Sequence, residues 1–239
     1  MTLVYIVIAA GLGYLVGSVS WGRVIWKIVA PHKPIPHQTA FKLEGSDSEL
    51  VTDLTSATTV SHHLGARYGF LTYVLDVLKV ALSALAVKQA LPEQPYYLIT
   101  AVAGLIGHVW PVYYGFKGGR GISAIFGGVF VIDWVGVFAT SLLGMALGLL
   151  LARDMLVAYM AGVWLLIPWL WLRTHSLPVV LYAVAINIVF NVAMIPEIKK
   201  WIRITREGKW SDTANVMQLT GMGRGILKMA KKLKIYAPK

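Results

Sequence analysis

Cysteine is absent from the 239-residue chain. That excludes a disulfide framework, a thiolate nucleophile and any cysteine-bearing metal site. Charge is also scarce: 14% of the residues are charged and 57% hydrophobic, against roughly 25% charged in soluble domains. The deficit excludes an ordinary soluble domain and points to a polytopic membrane protein, whose spanning helices each need about 20 mostly apolar residues. Acidic residues number 11 against 22 lysines and arginines, a net charge of +11. In a soluble protein that excess would suggest nucleic acid. In a membrane protein it marks cytoplasmic loops, and no nucleic-acid partner is expected. A Walker-type phosphate loop and internal repeats are missing as well. The chemistry left to the chain is that of hydroxyls, imidazoles, carboxylates, cations and backbone amides.

Nearly the whole chain divides into membrane-length pieces. The opening run MTLVYIVIAAGLGYL lacks a basic leader and reads as a first membrane helix, not a cleavable signal. Seven segments are expected: Leu3–Trp26, Tyr68–Ala90, Tyr97–Tyr114, a short glycine-rich Gly121–Ile132, Trp134–Ala152, Met155–Leu172 and Leu177–Ile195. The fold class is therefore all-α, a single helix bundle over residues 1–239. With the N-terminus outside, Arg23, Lys27, Lys33, Lys42, Arg67, Lys117, Arg120, Arg153 and the tail lie inside, and only Lys88 and Arg173 lie outside. The positive-inside rule expects that asymmetry. Two polar stretches stand apart. One is the loop 31–66, long for a connection without secondary structure. The other is the basic tail 197–239, whose end reads as a surface helix drawn to anionic headgroups.

Two clusters carry charge where charge is expensive. Asp76 and Lys79, three apart inside the second segment, share a helical face and read as a self-neutralising pair or part of a relay. The stretch Phe116-Lys117-Gly118-Gly119-Arg120-Gly121 sets two cations among three glycines between apolar runs. Glycine lets the backbone approach a ligand closely, and successive amides beside a helix start can form an anion nest. A phosphate cradle built by Gly118, Gly119 and Gly121 amides with Lys117 and Arg120, and a tight turn with two interfacial cations, are both consistent with it. His62, His63 and His108 read either as satisfied or solvated groups, or as groups that orient a substrate or accept its proton. Adjacent His62 and His63 diverge, so no metal site is expected. Asp47, Glu49 and Asp53 read as solvated charges.

The flanks of the glycine stretch extend the pattern. Gly107-His108, Pro111 and Phe116-Lys117-Gly118-Gly119-Arg120-Gly121 resemble the central G-H-x-x-P-x-x-x-x-F-K-G-G-K-G motif of the bacterial acyl-phosphate:glycerol-3-phosphate acyltransferases. Gly17-Ser18 and the Leu75-Asp76-x-x-Lys79 pattern match further family features. The first cytoplasmic motif is represented by Gly45-Ser46 and then Ala57-Thr58-Thr59, with Thr59 at its asparagine and His62 at its arginine. In the third motif Met194, Glu197 and Lys200 replace histidine, asparagine and arginine. The resemblance implies a seven-helix, N-out enzyme that moves a fatty acyl group from acyl phosphate to glycerol 3-phosphate without a cofactor. Its site would face the cytoplasm at the plasma membrane. It implies catalytic roles for Ser46, His62 and Lys117. It implies substrate binding by Ser18, Thr58, Thr59, His108, Lys117, Gly118, Gly119, Arg120 and Gly121, beside membrane lipid. The alternatives are a family member that binds phosphorylated lipid precursors without transfer, and a small transporter, against which the sparse intramembrane polarity argues.

Overall fold

A computed structural model describes residues 2–36, 39–42, 49–52, 56–152 and 155–206. The expected Ser46, Asp47, Asp53, Arg153 and the tail beyond residue 206 lie outside the described residues.

The fold is a bundle of helices, as the composition requires. Among the described residues, six stretches are long and apolar enough to cross a membrane: Leu3–Val29, Ala66–Ala90, Tyr96–Tyr114, Trp134–Ala152, Leu156–Thr174 and Leu177–Lys200. They correspond to six of the seven segments read from the sequence. The remaining one, Ile122–Ile132, is a helix of 11 residues. At 1.5 Å per residue it covers roughly 16 Å, about half of a hydrocarbon core.

The first span is not one continuous helix. It consists of α1 (Thr2–Gly17) and α2 (Trp21–Val29), with a break over residues 18–20. The sequence reading of a single helix is corrected here. Gly17, Ser18 and Ser20 are weak helix formers, and the interruption frees the Val19 carbonyl, which receives the Lys79 ammonium at 2.6 Å. The loop that follows is also more structured than expected. It holds an antiparallel hairpin, β1 (Thr39–Lys42) with β2 (Glu49–Thr52), in which Thr39 faces Thr52 and Lys42 faces Glu49. Helix α3 (Ala57–Leu64) follows, its first turn capped by the Ser56 hydroxyl, which accepts from the Thr59 amide at 3.4 Å. Gly65 at φ 102° then turns the chain into α4 (Ala66–Ala90).

Helix α5 (Tyr96–Val109) packs along α1 through glycines. A Cβ on Gly13 would overlap the Thr100 carbonyl, one on Gly17 the Gly104 carbonyl, and one on Gly107 the Tyr14 carbonyl. Two backbones in direct contact are the membrane solution to helix association, where van der Waals packing replaces the hydrophobic effect. Helix α6 (Ile122–Ile132) lies on α4 and α5; a Cβ on Gly127 would strike the Val77 carbonyl of α4. Helices α7 (Trp134–Ala146), α8 (Met155–Trp164), α9 (Leu166–Thr174) and α10 (Leu177–Arg206) complete the bundle. The core they share with α5 and α6 includes Leu105, Ile125, Leu166, Leu170, Ile186 and Phe190, all fully buried. Outward faces remain apolar, with Leu3, Val7, Leu82, Leu142, Leu181 and Ile188 exposed, as lipid-facing surfaces are.

The ends of the bundle differ. One carries the glycine loop, α2, α3 and the hairpin. At the other, Arg173 Nε donates to Asp133 Oδ2 at 3.1 Å, Trp169 Nε1 donates to the same oxygen at 2.9 Å, and Lys88 Nζ donates to the Val131 carbonyl at 3.0 Å.

Two glycines of α1 should separate cleanly by thermal unfolding in detergent. Gly17→Val should destabilise by about 1–3 kcal/mol or more, because a side chain must part α1 from α5. Gly11, with nothing near its would-be Cβ, should gain roughly 0.5–1 kcal/mol as Gly11→Ala.

Candidate functional site

The glycine loop links α5 to α6. Trp110 ends α5, Val112–Tyr114 makes a single 3-10 turn, and Gly115 (φ 60°) and Phe116 (φ 59°) both adopt the left-handed region. The chain then doubles back onto the end of α5. The Gly118 amide donates to the Val109 carbonyl at 3.2 Å and the Gly119 amide to the His108 carbonyl at 3.0 Å. These two donors are thus spent inside the protein, which corrects the expectation that they line an anion cradle. Their glycine identity serves closeness instead. A Cβ on Gly118 would overlap the His108 carbonyl, and one on Gly119 would overlap His108 Nε2. Gly121, at φ 100°, sits directly ahead of α6. Among the described residues, the amides that remain for an anion are those of Arg120 and Gly121 and of the first turn of α6, which lack partners within their helix.

Lys117 stands exposed at the head of the loop, and its ammonium has no partner among the described residues. Its carbonyl accepts from Arg23 Nη2 at 3.1 Å, and the Arg23 guanidinium lies 4.8 Å from the Tyr114 ring centre. Arg23 therefore ties α2 to the loop and adds a second cation beside it. Arg120, in contrast, is engaged. Its Nη2 meets Glu197 Oε1 of α10 at 3.1 Å, and Lys200 Nζ reaches the same oxygen at 3.7 Å. Tyr159 of α8 lies against this pair. The two loop cations are therefore unequal: Lys117 is open and Arg120 is shared with a carboxylate.

Beneath the loop, Asp76 and Lys79 pair at 2.8 Å between Nζ and Oδ1, as the spacing predicts. The structure adds two partners that the sequence did not reveal, the Val19 carbonyl and His108 Nδ1, the latter at 3.1 Å. Ser18 is fully buried, and its hydroxyl accepts from the Val112 amide at 3.4 Å. It holds the start of the loop against the break in the first span. Thr59 is buried beside the Ser56 hydroxyl, whereas Thr58 and His62 are exposed on α3, which packs on α2 and α4. His63 accepts or donates at 3.2 Å to the Thr39 hydroxyl of the hairpin, and its ring stands edge-on to Trp26.

The structure thus sets Lys117, Gly118, Gly119, Arg120 and Gly121 in one loop against His108 at the end of α5, with Ser18 at its base. Thr58, Thr59 and His62 sit on the neighbouring α3, joined to the loop through α2. Arg23 and the Arg120 partner Glu197 were missed as site residues. A cation just after the Gly-Ser pair was the available signal for Arg23, whereas the pairing of Glu197 with Arg120 joins distant parts of the chain and left none. Among the described residues there is no cluster of three metal-ligating side chains.

A multi-pass membrane protein with a cationic glycine loop at one end is the class these features define. Within that class the chain belongs to the glycerol-3-phosphate acyltransferase family, whose model matches residues 42–206. It is 34% identical over 150 residues to the glycerol-3-phosphate acyltransferase of Aquifex aeolicus, across 58% of this chain and 69% of that protein. It is 27% identical over 228 residues to the one from Acholeplasma laidlawii, across 85% and 91%. A crystal structure of PlsY, an integral membrane glycerol 3-phosphate acyltransferase in its glycerol 3-phosphate form, superposes with a TM-score of 0.65. It is 25% identical and covers 87% of this chain and 94% of that one.

Two measurements probe the site electrostatics. Glu197→Gln releases Arg120, so inorganic phosphate should bind about two- to fivefold more tightly in a thermal-shift titration, the scale of a partly exposed ion pair. Unchanged affinity would mean that the carboxylate does not compete with phosphate. Burial, and then neighbouring His62, push the His63 pKa below its ordinary 6.5. Its contribution is therefore intact above pH 6.5 and lost as pH falls through the lowered folded value. Amide exchange in β1–β2 should accelerate modestly over that window, and His63→Gln should flatten the dependence.

Proposed function

We propose that the protein transfers a fatty acyl group from acyl phosphate to the 1-hydroxyl of glycerol 3-phosphate, giving 1-acylglycerol 3-phosphate and inorganic phosphate. The observation that carries this reading is an open cation, Lys117, on a loop fixed against α5, inside the region that matches the family. Relatives named glycerol-3-phosphate acyltransferase support it.

The chemistry asks little of the enzyme. Acyl phosphate is already activated, so no covalent enzyme intermediate is needed. The acceptor hydroxyl attacks the acyl carbon, the bond from that carbon to the phosphate oxygen breaks, and the hydroxyl proton leaves on the departing phosphate. What the protein must supply is closeness of two anionic groups and stabilisation of the tetrahedral oxyanion. Lys117 and the first-turn amides of α6 neutralise one phosphate. Arg23 and the shared Arg120 lower the repulsion between the two. Thr58 and His62 on α3, with Ser46, orient the second substrate. The acyl chain lies in lipid against the apolar outer faces of the bundle.

The charge distribution supports an orientation. Arg23, Lys27, Lys33, Arg67, Lys117, Arg120 and Lys200 lie on the stretches at the loop-bearing end, while the opposite end has Lys88 and an Arg173 already paired with Asp133. The positive-inside rule then directs the loop to the cytoplasm and the N-terminus outward, in the plasma membrane of a bacterium.

Purified protein in lipid, given palmitoyl phosphate and labelled glycerol 3-phosphate, should form lysophosphatidic acid. Lys117→Ala should reduce kcat/KM by about 100-fold or more, as loss of one preorganised electrostatic contact does. A folded wild type that forms no product with this pair would refute the assignment.

A further inference from the structure

The buried Asp76–Lys79–His108 cluster has no part in the transfer as described above, yet its geometry fixes the chemistry of one ring. An ammonium has three donors and no lone pair. Lys79 directs its donors to the Val19 carbonyl at 2.6 Å and to His108 Nδ1 at 3.1 Å, and pairs with Asp76 at 2.8 Å. In the contact with His108 the imidazole must therefore accept. Asp76 Oδ1 stands 3.7 Å from the same nitrogen, beyond hydrogen-bond reach, so it does not draw a proton onto Nδ1. Nδ1 is the bare nitrogen, and the neutral ring carries its proton on Nε2.

That proton has somewhere to go. Nε2 lies against the bare face of Gly119, where any Cβ would overlap it. It has no partner among the described residues and is not sealed from solvent. The ring is 10% exposed, while Lys79 and Asp76 are 4% and 7% exposed. Of the three side chains the ring is the most exposed, and its Nε2 is the edge that meets Gly119 of the loop.

We propose that His108 is a fixed hydrogen-bond donor whose Nε2–H is presented beside Gly119 to an oxygen of the phosphorylated substrate, with Lys79 as the positioning residue that sets its tautomer. The proposal deepens the acyltransferase reading and rests on it for the identity of the substrate. It assigns His108 no proton-accepting role: Nε2 already holds its proton, and Nδ1 is covered by the ammonium. It also gives the glycine at 119 a reason apart from its amide, since a side chain there would cover the donor.

The test is nitrogen NMR of the histidine-labelled protein in lipid nanodiscs. The chain has six histidines, and His108→Gln identifies the His108 signals by their loss. The expected spectrum shows a neutral ring, Nε2 protonated and Nδ1 bare, throughout about pH 6 to 8, the range in which an ordinary imidazole titrates. Inorganic phosphate and glycerol 3-phosphate should each shift the Nε2 signal, and Gly119→Ala should abolish that shift. The paired replacement Asp76→Leu with Lys79→Met leaves no buried charge unpaired and should release the tautomer preference. A ring protonated on Nδ1, a doubly protonated ring, or an Nε2 signal unmoved by both anions would overturn the proposal. The tautomer is read without turnover. A protein with this ring that makes no lysophosphatidic acid would therefore count against the proposed reaction and leave the donor assignment standing.

Discussion

A cation inside an apolar bundle must find partners, because an uncompensated charge in the membrane interior is among the most expensive features a fold can contain. Lys79 is that cation, and much of the loop-bearing end is arranged around it. Asp76, one turn earlier on α4, balances the charge. A pair alone would leave donors over, and the remainder is met by interrupting the first span so that the Val19 carbonyl turns inward. The imidazole of His108 completes the shell. The break in the first span, the end of α5 and the middle of α4 are thereby joined at one nitrogen atom.

The loop above depends on the same join. His108 contributes its carbonyl to the Gly119 amide and its ring to the space that Gly119 leaves free. Ser18, in the break, accepts from the Val112 amide, and Arg23, just past the break, donates to the Lys117 carbonyl. The break thus grips the loop at both ends. The glycines allow this packing by being small, and their amides hold the loop to α5. Positive charge is then set above a neutralised base, with Lys117 open to an anion and Arg120 restrained by Glu197 of α10. The site combines one exposed cation with one that is paired to the last helix.

Much of the architecture was legible in the sequence. Long apolar runs separated by polar or glycine-rich stretches gave the spans, since a bilayer imposes length and composition on every segment that crosses it. What escaped was local. The interruption after Gly17 lies inside an unbroken apolar run, and hydropathy does not register a carbonyl diverted to a side chain sixty residues away. The pairing of Thr39–Lys42 with Glu49–Thr52 lies in a polar stretch, where it depends on two short segments meeting. Ser18, Thr59 and His108 were legible as unusual residues, but whether they face a ligand or the packed interior was not.

By itself, the sequence determined that the chain is a helical membrane protein with a cationic glycine loop, and its spacing placed Asp76 and Lys79 on one helical face. These follow from composition and from periodicity, which act over a few residues. Only the tertiary structure decided that the Gly118 and Gly119 amides turn inward, that Arg120 is held by Glu197, and that Lys79 reaches both Val19 and His108. Each depends on groups brought together from distant parts of the chain, and hydrogen-bond direction and charge balance are fixed only when those groups meet.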